Sequence, residues 1–292
     1  MAALTQKYRR AIWIWSPREL NDPKLSKKLF SFCQKESITH LYYQIIVKEQ
    51  EYPKVTAEIE GQEFFRDLIR EAHAKDLKVY ALLSPDQVWG KQGREKVLAR
   101  VKALQVFNTG SKPQEMVDGV HFSFDLYFSE GARNKDMRTK ALEFLQLLRR
   151  IKIEAHMRRP HILFSTDMPF WFLTGKRGPL PRMIFSLRLK EAGEHLLDIV
   201  DEAVVFPYST ELSGQSGIEE KVLPALEYTG KIGKKMLIGL ETMELSQKGA
   251  SFGGESRSTF KKTETAITDR FSGFSGFGGI GIHDYENYSK LS

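Results

Sequence analysis

Gly119-Val120-His121-Phe122-Ser123-Phe124-Asp125 alternates residue by residue between apolar and polar side chains. Val120, Phe122 and Phe124 fall on one side of an extended strand, and His121, Ser123 and Asp125 on the other. The apolar side needs cover. The polar side needs partners or water, so it must face something other than a packed core. A strand inside a closed barrel meets both needs, with helices outside and a polar mouth inside.

The same kind of segment recurs along the chain. Apolar runs occupy 11–15, 39–46, 77–83, 119–125, 161–165, 202–208, 235–241 and 277–285. Amphipathic stretches separate them, near 23–35, 61–75, 94–107, 135–156, 217–228 and 256–271, with a further helix leading into 196–200. The stretch 61–75 places Phe64, Leu68, Ile69 and Ala72 at helical spacing. Strands alternating with crossover helices predict a parallel sheet. Eight repeats in 292 residues fit a single (β/α)₈ barrel spanning 1–292. The competing doubly wound sheet calls for a glycine-rich turn after the first strand. Here that turn reads Ser16-Pro17.

Composition narrows the field. Hydrophobic residues make up 41% and charged residues 28%, enough to bury a large core without a staple. The one cysteine, Cys33, cannot form an intrachain disulfide and reads as a small buried hydrophobe. No segment is apolar for long enough to predict a membrane span. The net charge of +7 is spread over isolated pairs such as Lys27-Lys28, Arg149-Arg150, Arg158-Arg159 and Lys234-Lys235, which read as solvated helix faces. No nucleic-acid or membrane partner is therefore expected. The N-terminus offers no signal peptide, so a cytoplasmic location is expected, or a secreted one if a leader has been removed.

Chemistry in such a barrel belongs at the carboxyl ends of the strands. These ends supply Trp15, Tyr43, Gln44, His121, Ser123, Asp125, Asp167, Tyr208, Glu241, His283, Asp284 and Tyr285, with Trp171 in the loop after the fifth run. The set is acidic and aromatic, and basic residues are nearly missing from it. That disfavours phosphate ligands, which want Arg, Lys or helix N-termini. It favours a neutral polyol, whose ring faces lie on Trp and Tyr while its hydroxyls bond to carboxylates and amides. Paired carboxylates also meet the needs of glycoside hydrolysis.

Plainer roles exist for several of these residues. Trp13 and Trp15 share a strand face, so one of them can be core. Asp167 and Asp284 can cap the helices that follow. His121 and His283 can be satisfied core histidines, and Glu241 can form a caging salt bridge. No cofactor is expected, since the first strand has Trp13-Ile14-Trp15 where a metal-dependent barrel hydrolase needs a His-x-His pair. Lys78 stands at the start of its strand, the wrong end for Schiff-base chemistry. The segment 271–279 precedes strand eight and reads as a flexible connector on the opposite face.

Asp118 to Asp125 resembles the chitinase-type glycosidase frame, D-G-hydrophobic-D-hydrophobic-D-hydrophobic-E. The chain also looks like a family of glycoside-hydrolase-related barrels whose strand four reads G-(V/L)-H-(L/F)-D-(V/I)-E-P-Y and whose strand eight ends in H-D-Y. Gly119, Val120, His121 and Tyr127 match that second pattern, as do Glu241-Thr242 and Ile282-His283-Asp284-Tyr285-Glu286. The resemblance implies a barrel acting on carbohydrate, with Asp125 as acid/base and Glu241 as its partner. Trp15, Tyr43, Gln44, His121, Asp167, Trp171, Tyr208, His283, Asp284 and Tyr285 would bind substrate. Two departures stand out: Ser123 replaces the frame's last aspartate and Asp125 its glutamate. They admit a second expectation, a carbohydrate-binding pseudoenzyme on the same barrel.

Overall fold

Val120 and Phe122 are fully buried beneath the surrounding helices, and His121 between them is fully buried on the opposite side of the strand. That two-sided burial extends through eight parallel strands. In the computed structural model, residues 8–17, 22–85, 88–124, 137–173 and 182–292 are described. The strands are β1 (Arg9–Ile14), β2 (His40–Gln44), β3 (Lys78–Leu83), β4 (Gly119–Phe122), β5 (Leu163–Pro169), β6 (Glu202–Phe206), β7 (Met236–Glu241) and β8 (Phe277–His283). Each pairs with its sequence neighbours, and β1 pairs with both β2 and β8, so the sheet closes into a barrel.

The helices are α1 (Pro23–Lys35), α2 (Gln62–His73), α3 (Gly90–Thr109), α4 (Met137–His156), α5 (Ala192–Ile199), α6 (Ile218–Lys231), α7 (Arg257–Phe271) and the short α8 (Tyr285–Tyr288). Among the described residues no helix is long and apolar enough to cross a membrane. Asp22 caps α1 by accepting from the Lys24 amide, with Pro23 at the first helical position, where its missing N–H costs nothing. Two antiparallel hairpins, Val47–Gln50 with Thr56–Ile59 and Met183–Phe185 with Arg188–Lys190, add to the eight units. Their short mixed-polarity strands do not stand out from loop sequence.

The barrel has two cores. Helices and outer strand faces share the larger one, in which Cys33 is fully buried and its thiol is pushed up to about 12 by burial. The smaller one fills the lumen with Ala11, Trp13, Tyr42, Tyr80, Leu82, Val204, Phe206 and Leu237. Glycine makes room for these rings: a Cβ on Gly119 would lie 2.3 Å from the Tyr80 ring.

Closure is tightest where β8 meets β1. Gly279 has φ +134, and a Cβ there would lie 2.0 Å from the Arg9 carbonyl oxygen. Gly279→Ala is expected to cost about 3 kcal/mol or more, through left-handed strain and the clash together, as read from a urea midpoint. The connector before β8 is not loose. Phe271 and Phe277 are buried, and Gly276 packs against the Leu226 carbonyl and Thr229 of α6. Aromatic side chains in a glycine-rich segment supply the packing that glycine lacks.

A polar network fastens the same seam. The Arg10 guanidinium reaches Glu264 of α7, the Glu36 carbonyl and the Tyr288 hydroxyl (2.9 Å). The Glu36 carboxylate, on a residue only 5% exposed, accepts from Arg257 (2.8 Å), Lys261 (2.9 Å) and Tyr288 (2.8 Å). The end of α1 is thereby tied to β1, α7 and α8.

Candidate active site

Side chains alternate along each strand, so the inner-face positions near the carboxyl ends can be read from the lumen residues upward. They are His121 on β4 and Ser123 just beyond its end, with Ser165 and Asp167 on β5. His121 is fully buried; its Nδ1 lies 2.9 Å from Ser165 Oγ and its Nε2 2.8 Å from Asp167 Oδ1. Ser123 Oγ donates to Asp167 Oδ2 at 2.5 Å. A carboxylate only accepts, so Nε2 carries the proton and Nδ1 meets the serine hydroxyl. Asp167 is therefore gripped at both oxygens and does not serve as a helix cap.

A second histidine–carboxylate pair joins β7 to β8. Glu241 is 8% exposed. Its Oε1 accepts from the amides of Thr242 (3.0 Å) and Met243 (2.8 Å), and His283 Nδ1 lies 3.1 Å from Oε1 and 3.0 Å from Oε2. On the other side of the ring, Trp15 Nε1 donates to His283 Nε2 at 3.0 Å. Indole N–H is a donor only, so Nε2 must present its lone pair and Nδ1 must hold the proton facing Glu241. Trp15, His283 and Glu241 thus form a hydrogen-bonded chain spanning β1, β8 and β7.

Trp13 sits between the two pairs. Both histidine rings lie edge-on to it, His121 at 5.1 Å and His283 at 5.5 Å between centroids, while Tyr42 stacks on His121 at 4.1 Å. Trp13 is the core member of the tryptophan pair and Trp15 the one at the mouth. A row of aromatic rings continues over β6: Phe206 lies 5.8 Å from Tyr208, and Tyr208 6.2 Å from Trp171, with interplanar angles of 27° and 25°.

Burial works against a charged His283, but the hydrogen bond and charge of Glu241, with Asp284 and Asp167, outweigh it and raise its pKa above the ordinary 6.5. This contribution to stability is therefore full below pH 6.5 and lost as pH rises through the folded-state pKa. Trp15 opposes the second protonation by occupying Nε2. Trp15→Phe is expected to raise the His283 pKa further, measured by ¹⁵N imidazole shifts; an unchanged titration would mean that the indole does not hold the tautomer.

Not every residue expected at the mouth is there. Tyr43 lies on the outer face of β2, stacked 5.9 Å from Phe65 of α2, and its hydroxyl donates to the Pro17 carbonyl. Its neighbour Gln44 shares the inner-face alternation with Tyr42 and is half-buried. Asp284 caps α8, accepting from the Asn287 amide and side chain. Tyr285 packs edge-on to Phe32 of α1 at 5.0 Å. Asp125 and Tyr127 lie outside the described residues. Ser165 was missed because it precedes the end of its strand, although its position two residues before Asp167 was a usable signal. Among the described residues, no group of three or more His, Cys, Asp or Glu side chains could hold a metal ion.

No family model and no curated protein sequence matches this chain. Solved structures do resemble it. A chitinase from Bacteroides thetaiotaomicron aligns with 97% of this chain and 93% of its own at 12% identity and a TM-score of 0.54. A β-mannanase from the blue mussel Mytilus edulis aligns over 98% and 88% at 12% identity and a TM-score of 0.56. A β-1,4-D-mannanase from Cryptopygus antarcticus aligns over 96% and 84% at 8% identity and a TM-score of 0.58. The shared property is the fold, a (β/α)₈ barrel of the kind that glycoside hydrolases use.

Proposed function

We propose that the chain is a glycoside hydrolase that cleaves a carbohydrate by carboxylate chemistry. The observation that carries this reading is Glu241, a nearly buried carboxylate at the end of β7 held by one imidazole and two backbone amides. All of its partners donate, so Glu241 suits the nucleophile or base and leaves the proton donor to another group. Asp125, two residues beyond Ser123 in the strand-four alternation, is the acid/base in this proposal. It protonates the leaving oxygen while Glu241 attacks the anomeric carbon or activates water. Trp15, Trp171 and Tyr208 offer ring faces for sugars, and Gln44, His121 and Asp167 offer polar contacts.

The experiment is a panel of chromogenic β-mannosides, β-glucosides and N-acetylglucosaminides, run on the whole chain and on Asp125→Asn. Turnover that disappears in the variant supports the assignment. Turnover that persists sinks the role of Asp125. The anomer first released, followed by NMR, separates retention from inversion.

One observation favours the alternative of binding without turnover. Two of the strand-four positions that the chitinase-type frame fills with carboxylates hold His121 and Ser123, and both are spent on Asp167. Saturable glycan binding with no product on the panel would select that reading.

A further inference from the structure

Lys221 stands in the first turn of α6, outside the set of strand-end residues. Its Nζ donates to the Tyr208 carbonyl at 3.2 Å and lies 4.8 Å from the centroid of the Phe170 ring. Among the described residues no carboxylate pairs with it; Glu220 is the acidic group acting on it, and that side chain accepts from the Ser216 amide instead. Burial pushes the Lys221 pKa below its ordinary value. A half-buried cation without a counter-charge is costly to keep, and an aromatic face with one carbonyl returns only part of the lost hydration.

Its setting gives that cost a use. Phe170 is followed by Trp171, which stacks on Tyr208, so the ammonium lies beside the aromatic row where a sugar ring would rest. Tyr208 has φ +44, a left-handed conformation uncommon for a residue with a Cβ, and the same residue presents its carbonyl to Lys221. The rest of the described mouth is acidic, with Asp167 and Glu241 already engaged by their histidines. Among the described residues of the mouth, an anionic sugar would be repelled by these carboxylates and attracted on the β5–β6 side.

We propose that Lys221 makes this a subsite for an acidic sugar: a uronic-acid residue whose ring lies on Trp171 and Tyr208 and whose carboxylate pairs with the Lys221 ammonium. This rests on the carbohydrate reading above and names the substrate class for it. A flat carboxylate on the edge of a pyranose ring can reach a cation beside the platform that carries the ring face, and the pair would form in a partly dehydrated place where charge-assisted hydrogen bonds are strong.

The test is calorimetric titration of the whole chain, at neutral pH, with trisaccharides of galacturonate, glucuronate and mannuronate and with their neutral galactose, glucose and mannose counterparts. At least one acidic trisaccharide is expected to bind roughly tenfold or more tightly than its neutral counterpart, with the preference shrinking as salt is raised. Lys221→Met should abolish the preference and Lys221→Arg should keep it, with Lys221→Met melting no lower than the unaltered chain, as removal of a costly cation requires. Equal binding of acidic and neutral sugars, or a preference that survives in Lys221→Met, overturns the acidic subsite and leaves the carbohydrate reading standing. Binding of no sugar in either series overturns both.

Discussion

Glu241→Gln is expected to lower glycoside turnover by roughly 10²–10⁴-fold while changing sugar affinity by only a few-fold. The substitution keeps the shape of the side chain and removes the charge that, in the proposed mechanism, attacks carbon or takes a proton from water. It also forces a rearrangement, because His283 Nδ1 and the amides of Thr242 and Met243 all present donors to this group. A glutamine oxygen can satisfy them only if its amide nitrogen turns towards the mouth. The rate constant for a chromogenic glycoside checks it, with sugar binding measured beside it. Unaltered turnover would remove Glu241 from the chemistry. A loss of binding as large as the loss of turnover would make it a substrate contact instead.

Glu36→Ala is expected to destabilise the fold by roughly 3–5 kcal/mol, read from a urea midpoint, without touching the mouth. Glu36 is the common acceptor of Arg257, Lys261 and Tyr288, and Arg10 lies 3.5 Å from it. Removing it leaves three cations facing one another, with Glu264 as the carboxylate that remains beside Arg10 and Lys261. The same residue sets an acid limit. Burial disfavours its charge, but the hydrogen bonds from Lys261 and Tyr288 and the charges of Lys261 and Arg10 outweigh that and lower its pKa from 4.5 to about 2. Its contribution, on the order of 3 kcal/mol, is present above pH 4.5 and is lost as pH falls towards 2. Glu36→Gln should therefore flatten the stability profile across that window. A profile as steep as that of the unaltered chain would place the acid sensitivity elsewhere.

The two parts of the molecule differ in how openly the sequence states them. The barrel was legible because each strand is bounded and buried on both faces, so apolar runs such as 236–240 and 202–206 stand out by composition alone, and their count sets the closure. The alternation of His121, Ser123 and Asp125 announced a polar interior for the same reason, since period two fixes which side chains share a face. Other residues near the strand ends are engaged by neighbouring elements. Of the three consecutive residues at the end of strand eight and beyond it, His283 pairs with Glu241, while Asp284 caps α8 and Tyr285 packs on Phe32 of α1. On strand two the tyrosine that faces the lumen is Tyr42, and Tyr43 belongs to the helix layer.

By itself, the sequence determined the class of fold and the acidic, aromatic character of the residues at the carboxyl ends of the strands. Those follow from local periodicity and from residue types, which neighbours along the chain suffice to define. Only the tertiary structure decided that Trp15, His283 and Glu241 form one hydrogen-bonded chain, that Asp167 belongs to His121, and that Lys221 of a helix stands beside the rings of strands five and six. These partners are separated by as many as 268 residues, and a hydrogen bond depends on distances of about 3 Å that no spacing in a linear sequence encodes.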